Sequence, residues 1–371
     1  MEYKRELLKL EELKKLILKE KDKQRQIFLI SDYCNIIAYL NNLNVIQDID
    51  SYFEEIGTIF NNYYYALQKE KMRYGRSFIN NIEIIFDITN KLIELTKKHQ
   101  INIMENRDPF LPIDIKLGNE IINDFFGSLN SEFYHLYEML FDEERVSTTS
   151  MIDALGMSYN VNYTDKPYII LYNNGKYYDY EFLSSLTHEI GHCYEFTTVK
   201  TNKVYQMYLL AEVSSLFLQK LFDEYSIKNN FYLKEVEKSQ ILWQKSLSQR
   251  NLVNDFTNKI ILDGNLSSLD YDKGFFDINI AKYGINYLNK DVEYSLDKFA
   301  ANLDNYLYVI GDHIANNFVK LYKDNPKEAL KEFKNFLLTM DKVSISDNLK
   351  RYSNDYSEEE MILEKIKRIE G

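Results

Sequence analysis

The chain is short of the residues that break helices and of those that tie small folds together. It holds 4 Pro, 12 Gly and 2 Cys in 371 residues. So few prolines and glycines leave little material for tight turns, and long helices are expected. Two cysteines, Cys34 and Cys193, are too few for a disulfide framework. No apolar run approaches the ~18 residues that a membrane span needs. The first residues, Met-Glu-Tyr-Lys-Arg-Glu-Leu-Leu-Lys-Leu, carry charge where a secretory signal would carry an apolar core. A soluble, cytoplasmic protein without a membrane partner is the expectation. An excess of positive charge is also missing, since 57 Asp and Glu outnumber 45 Lys and Arg. The formal net charge is −12, and no Lys/Arg cluster alternates with aromatics, so no nucleic-acid partner is expected. Glycine-rich phosphate loops, Gly-x-Ser-x-Gly turns and internal repeats are all missing.

What is present reads mainly as helix. Hydrophobic residues make up 45% and charged residues 27%, a globular balance. Leucines at 7, 10, 13, 16 and 18 with Ile17 among dense Lys and Glu predict a helix over 3–27. Further helices are expected at about 30–43, 48–71, 76–98 and 117–143, and later at 229–262 and 289–323. Pro326, after Asn325, opens another helix towards Met340, and a charged helix runs from Glu358 to Glu370. Asp108-Pro-Phe-Leu-Pro112 holds two of the four prolines, so the path must break there. The break suggests an N-terminal helical layer, 1–107, and a working domain, 108–371. His99 reads as an exposed helix-end residue and His135 as a core histidine.

Between 148 and 180 the texture changes. Met157-Ser-Tyr-Asn-Val-Asn-Tyr163 alternates with period two, Pro167-Tyr-Ile-Ile-Leu-Tyr172 is rich in strand formers, and Asn173-Asn-Gly175 follows as a turn. A small antiparallel sheet is expected. Its edge could hold the backbone of an extended peptide, or simply be a stabilising hairpin.

The next stretch carries the chemistry. Asp179 should cap a helix containing His188-Glu-Ile-Gly-His192. Residues four apart lie on one helical face, so His188 and His192 can turn two imidazole nitrogens to one ion. Glu189 sits beside them, placed to take a proton from water. This is the His-Glu-x-x-His arrangement of zinc peptidases. Glu212 follows 24 residues after His188, among Leu, Ala, Val and Ser. A buried carboxylate needs a cation, either a metal or a salt-bridge partner. As third ligand it leaves a fourth zinc position open, which is the catalytic arrangement.

Together these segments resemble the thimet oligopeptidase and oligoendopeptidase F family of zinc metallopeptidases, of the gluzincin type. Ala154-Leu-Gly-Met-Ser-Tyr159 is similar to its Gly-Ala-Tyr-Ser loop, and Lys166-Pro-Tyr-Ile-Ile-Leu-Tyr-Asn173 to its Lys-Pro-Tyr strand. Leu210-Ala-Glu-Val-Ser-Ser215 resembles the segment with the third ligand. The resemblance covers roughly residues 105–345. It implies a mainly α, zincin-like fold with a small sheet beside the metal helix, one Zn²⁺ per chain, and cleavage of internal bonds in short unstructured peptides. Glu189 would be the general base, with His188, His192 and Glu212 as ligands. In Asp304-Asn-Tyr-Leu-Tyr-Val-Ile-Gly-Asp-His313 the family's substrate-polarising tyrosine would be Tyr306, or Tyr308 if the register shifts by two. Ala301 stands where the family has a histidine, and His313 is a possible substitute. The N-terminal part and the loop before Glu212 are shorter than the family's. Alternatives are an exopeptidase with the same ligands, or a zinc-bound helical binding protein without turnover.

Overall fold

Helices dominate the computed structural model, which describes residues 3–64, 66, 78, 80–99, 109–152, 154–161, 166–173, 175, 177–199, 208–263, 296–340 and 342–370. In chain order they are α1 (Lys4–Lys19), α2 (Lys23–Asn42), α3 (Ile49–Glu54), α4 (Ile82–His99), α5 (Ile115–Leu129) and α6 (Ser131–Asp142). After the strands come α7 (Tyr180–Thr198), α8 (Val213–Lys228), α9 (Leu233–Asp263) and α10 (Leu296–Asp324). The chain ends with α11 (Pro326–Thr339), α12 (Ile345–Tyr352) and α13 (Ser357–Glu370). Among the described residues no helix is long and apolar enough to cross a membrane.

Two of the divisions among the expected helices are made by a capping side chain. The helix foreseen over 3–27 stops at Lys19, and α2 restarts at Lys23, where the Asp22 carboxylate accepts from Arg25 N at 2.8 Å. The one foreseen over 117–143 breaks at Asn130, whose side chain accepts from Phe133 N at 3.0 Å. In both cases a short polar side chain competes for the backbone and caps a new helix. The residues 200–207 and 264–285 lie outside the described residues, and so does the side chain of Ala301.

The chain divides into two compact units interleaved along the sequence. One comprises Met1–Glu70, Pro109–Gln206 and Leu218–Val236; the other comprises Lys71–Asp108, Met207–Phe217 and Glu237–Gly371. One crossing falls at Asp108/Pro109, beside the proline pair.

In the first unit the sheet has the order β1-β3-β2, from β1 (Val146–Thr149), β2 (Gly156–Tyr159) and β3 (Tyr168–Tyr172). It is mixed, not antiparallel as expected. β2 pairs antiparallel with β3, but β1 runs parallel to it. The apolar run of β3 is what a strand buried on both faces needs, and Tyr168, Ile169, Ile170 and Leu171 are all buried. β1 is four residues of Val-Ser-Thr-Thr, too short to announce itself by alternation. Leu10, Leu13 and Ile17 of α1 recur at helical spacing and pack with Ile36, Ile37 and Leu40 of α2. Tyr159, Tyr168 and Ile170 of the sheet close that core.

The second unit is helical. Phe217, Phe318, Phe333 and Phe336 pack ring to ring, with centroids 4.4 Å apart for Phe217–Phe333 and 5.5 Å for Phe318–Phe336. His99 is buried here, against expectation. It shares a face of α4 with Leu92 and Thr96, at seven- and three-residue spacing, and that face is turned inward.

Candidate metal centre

Helix α7 begins as its sequence requires. The Asp179 carboxylate accepts from Phe182 N at 2.8 Å, and Glu181 sits in the first turn, at the positive end of the helix dipole. Leu183, Leu186 and Ile190 are buried, and α7 packs against β2 and β3. His188 and His192 follow on the half-buried face, their ring centroids 5.0 Å apart. Glu189 is only 6% exposed.

Edge strand β2 comes unusually close to that carboxylate. A Cβ at Gly156 would lie 2.8 Å from both Cγ and Oε1 of Glu189, and 3.0 Å from Leu171. Only a glycine permits this approach. Next to His192, burial first and the charge of Glu189 second hold the Cys193 thiol far above its ordinary range. Cys193 is fully buried and is not among the ligand-type atoms that converge here.

Glu212 lies just before α8 and is 7% exposed. Its carbonyl accepts from Leu216 N at 3.0 Å, which starts the helix. The Ser215 hydroxyl donates to the same carbonyl at 3.0 Å and to Glu212 Oε2 at 3.1 Å, which orients the carboxylate. His188, His192 and Glu212 each offer one ligand atom, and the three atoms lie within 4.8 Å of one another. Among the described residues no other group of His, Cys, Asp and Glu could hold a metal in this way.

Two residues of this arrangement escape a reading of the sequence. Gly156 is one. Gln219 is the other, with its Oε1 2.9 Å from His188 Nδ1 and its Nε2 donating to Ser184 Oγ at 3.1 Å. The amide oxygen can only accept, so Nδ1 carries the proton and Nε2 keeps its lone pair for a cation. The signal was there: Gln219 follows Glu212 by seven residues, two turns along one helical face.

The other candidates are placed differently. Tyr306 is fully buried and donates its hydroxyl to Asn258 Oδ1 at 2.5 Å. His313 is buried, with Nδ1 2.8 Å from Glu359 Oε1 and its ring stacked on Tyr356. Tyr308 is half-buried, with the Arg250 guanidinium 4.1 Å from its ring centroid. Gly311 of the same helix packs on Glu212, where a Cβ would come within 2.9 Å of Glu212 Cβ. Tyr308 stands three residues before Gly311, on the same face; Tyr306 and His313, five before and two after, do not. His135, expected in the core, is exposed and lies 3.4 Å from Glu138.

Solved structures share this architecture. PZ peptidase A, determined with an inhibitor, matches over 98% of this chain and 75% of its own, at TM-score 0.53 and 14% identity. A structure assigned to oligoendopeptidase F matches over 98% of this chain and 75% of its own, at TM-score 0.51 and 12% identity. The chain has the oligoendopeptidase fold. A third structure, assigned to oligoendopeptidase F from Bacillus anthracis str. Ames, aligns over 97% of this chain and 68% of its own at TM-score 0.49 and 15% identity. No family model matches the chain, and no curated protein does. The mainly helical character expected from the sequence is thus borne out, with a small mixed sheet beside α7.

Proposed function

We propose that the protein is a zinc-dependent peptidase that hydrolyses internal bonds of short, unstructured peptides. The observation that carries this reading is the convergence of His188, His192 and Glu212 within 4.8 Å, with Glu189 between the two histidines in sequence. The donor set suits zinc: two imidazoles and one carboxylate leave a fourth position open. A zinc ion held there supplies Lewis acidity, polarising a carbonyl and lowering the pKa of water towards ~7.

The chain's own residues do the rest. Gln219 keeps the proton of His188 on Nδ1, and Ser215 fixes the Glu212 carboxylate. Glu189 takes the proton of the attacking water and returns it to the leaving amine. We assign the hydrogen bond to the developing oxyanion to Tyr308. It is half-buried and shares a helical face with Gly311, whereas the Tyr306 hydroxyl is spent on Asn258. The edge of β2 would hold the substrate backbone by strand addition. Residues 108–371 carry this machinery in our reading, and 1–107 supply a helical layer.

Zinc stoichiometry, measured together with hydrolysis of a quenched-fluorescence peptide library, tests the proposal. The expected result is one zinc per chain and cleavage of end-blocked peptides. Cleavage restricted to peptides with a free end would make it an exopeptidase. Stoichiometric zinc without any cleavage would leave a binding protein.

A further inference from the structure

The strand that meets Glu189 has two unlike faces. Paired residues of a ladder point to the same side of the sheet, so Gly156 and Ser158 share a face with Leu171 and Ile169. Glu189 lies on that face. Met157 projects to the other one, where its sulfur is 3.7 Å from Asn42 Nδ2 and 3.6 Å from the Tyr159 hydroxyl. Leu155 extends the ladder by one bond, its carbonyl accepting from Tyr172 N at 2.9 Å, and alternation puts its side chain with Met157. Behind them Tyr159, Tyr168 and Ile170 belong to the core. The core therefore runs out to an open apolar rim, with Leu155 47% and Met157 37% exposed. Among the described residues β2 is an end strand, with no strand on its outer side.

We propose that this rim selects the substrate side chain: one of the two residues flanking the cleaved bond, and only one, is held against Leu155 and Met157 and is bulky and apolar. The inference rests on the peptidase reading above. It follows from strand geometry. Successive residues of an extended peptide point to opposite faces, and the cleaved bond joins two successive residues. If a peptide adds to the free edge of β2 with that bond at Glu189, one flanking side chain turns to the Glu189 face. The other must turn to the rim. There a Leu, Met or Phe buries apolar surface against two apolar side chains, while a charged Asp gives up its water shell beside them at a cost. The same alternation extends the preference to positions two residues away.

The test uses the zinc-loaded full chain carrying Glu189→Gln, so that binding is read without turnover. End-blocked, fluorescein-labelled nonapeptides with Leu at alternate positions are compared with the same peptides carrying Asp there, by anisotropy. At least tenfold tighter binding of the Leu series is expected. Met157→Asp and Leu155→Asp should each erase most of that ratio, and Met157→Leu should keep it. Cleavage-site mapping with the unsubstituted protein should find apolar residues enriched on one side of the cut and not on both. Equal binding of the two series overturns the inference, as does enrichment on both sides. So does a ratio unchanged by both Asp variants when circular dichroism reports them folded. Failure of the peptidase reading looks different: the unsubstituted chain then neither takes up zinc nor cuts any peptide, whatever the binding ratio.

Discussion

Two stretches of this chain carry the same kinds of side chain and use them in opposite ways. Around α7, two histidines are left half-buried, and a glutamate just before the next helix brings a carboxylate oxygen within 4.8 Å of their ligand atoms. Along α10, Tyr306, Asp312 and His313 are turned inward and bonded to Asn258, Trp243, Asn316 and Glu359. Trp243 Nε1 donates to Asp312 Oδ1 at 2.7 Å, and Asn316 Nδ2 donates to Glu359 Oε1 at 2.8 Å. A polar residue in a buried helix is costly unless it is paired, so pairing inside the protein is the ordinary outcome. The exceptional outcome is three ligand-type atoms that converge and leave room for a cation. Residue type alone does not separate the two cases; helical face does.

The comparison can be broken most directly by removing a ligand. Glu212→Ala or His192→Ala should lose zinc and bring peptide hydrolysis down by orders of magnitude, as metal analysis and turnover on one peptide would record. A variant retaining both zinc and activity would remove that residue from the ligand set. The tyrosines sharpen the contrast within one helix. Tyr308→Phe should lower kcat by about 100-fold or more, the ~3 kcal/mol typical of a lost oxyanion donor, with KM little changed. Tyr306→Phe should leave kcat near its original value and lower stability by ~1 kcal/mol, the worth of one buried hydrogen bond. The reverse pattern in steady-state kinetics would return the role to Tyr306.

Smaller effects are expected from the supporting residues. Gln219→Leu removes the acceptor of His188 Nδ1 and should weaken zinc binding roughly 10- to 100-fold in a chelator competition. An unchanged affinity would show that His188 is oriented without it. His313→Ala should leave turnover unchanged. It strips Glu359 of a buried partner and should lower unfolding stability by ~1–3 kcal/mol in a denaturant titration. A fall in kcat at full stability would move His313 from the structural column to the catalytic one.

Much of this was legible in the sequence because the signals are local. Asp179 announces the start of α7, the four-residue spacing puts His188 beside His192, and the apolar company of Glu212 marks it as inward-facing. What stayed hidden depends on contacts between distant residues. Nothing near Gly156 says that Glu189 will press on it, and nothing in Val146–Thr149 says that this short strand will run parallel to β3. The two misjudged histidines show the limit of reading neighbours instead of faces. His99 follows two lysines and reads as exposed, yet its spacing from Leu92 and Thr96 turns it inward. His135 sits among aromatics and reads as core, yet Phe133, Leu136, Tyr137 and Leu140 define a buried face that excludes it. The role of Tyr306 fails to declare itself for the same reason, since only the fold brings Asn258 to its hydroxyl.

The central claim is that Glu189 is the base of a zinc peptidase, and Glu189→Gln tests it most directly. Gln keeps the shape of the side chain and removes its capacity to take a proton. Zinc content and peptide hydrolysis should be measured on the same preparation of this variant. The account predicts one zinc per chain with turnover reduced ~10²- to 10⁴-fold, the usual worth of a general base. Full hydrolytic activity in a zinc-loaded Glu189→Gln protein would contradict it.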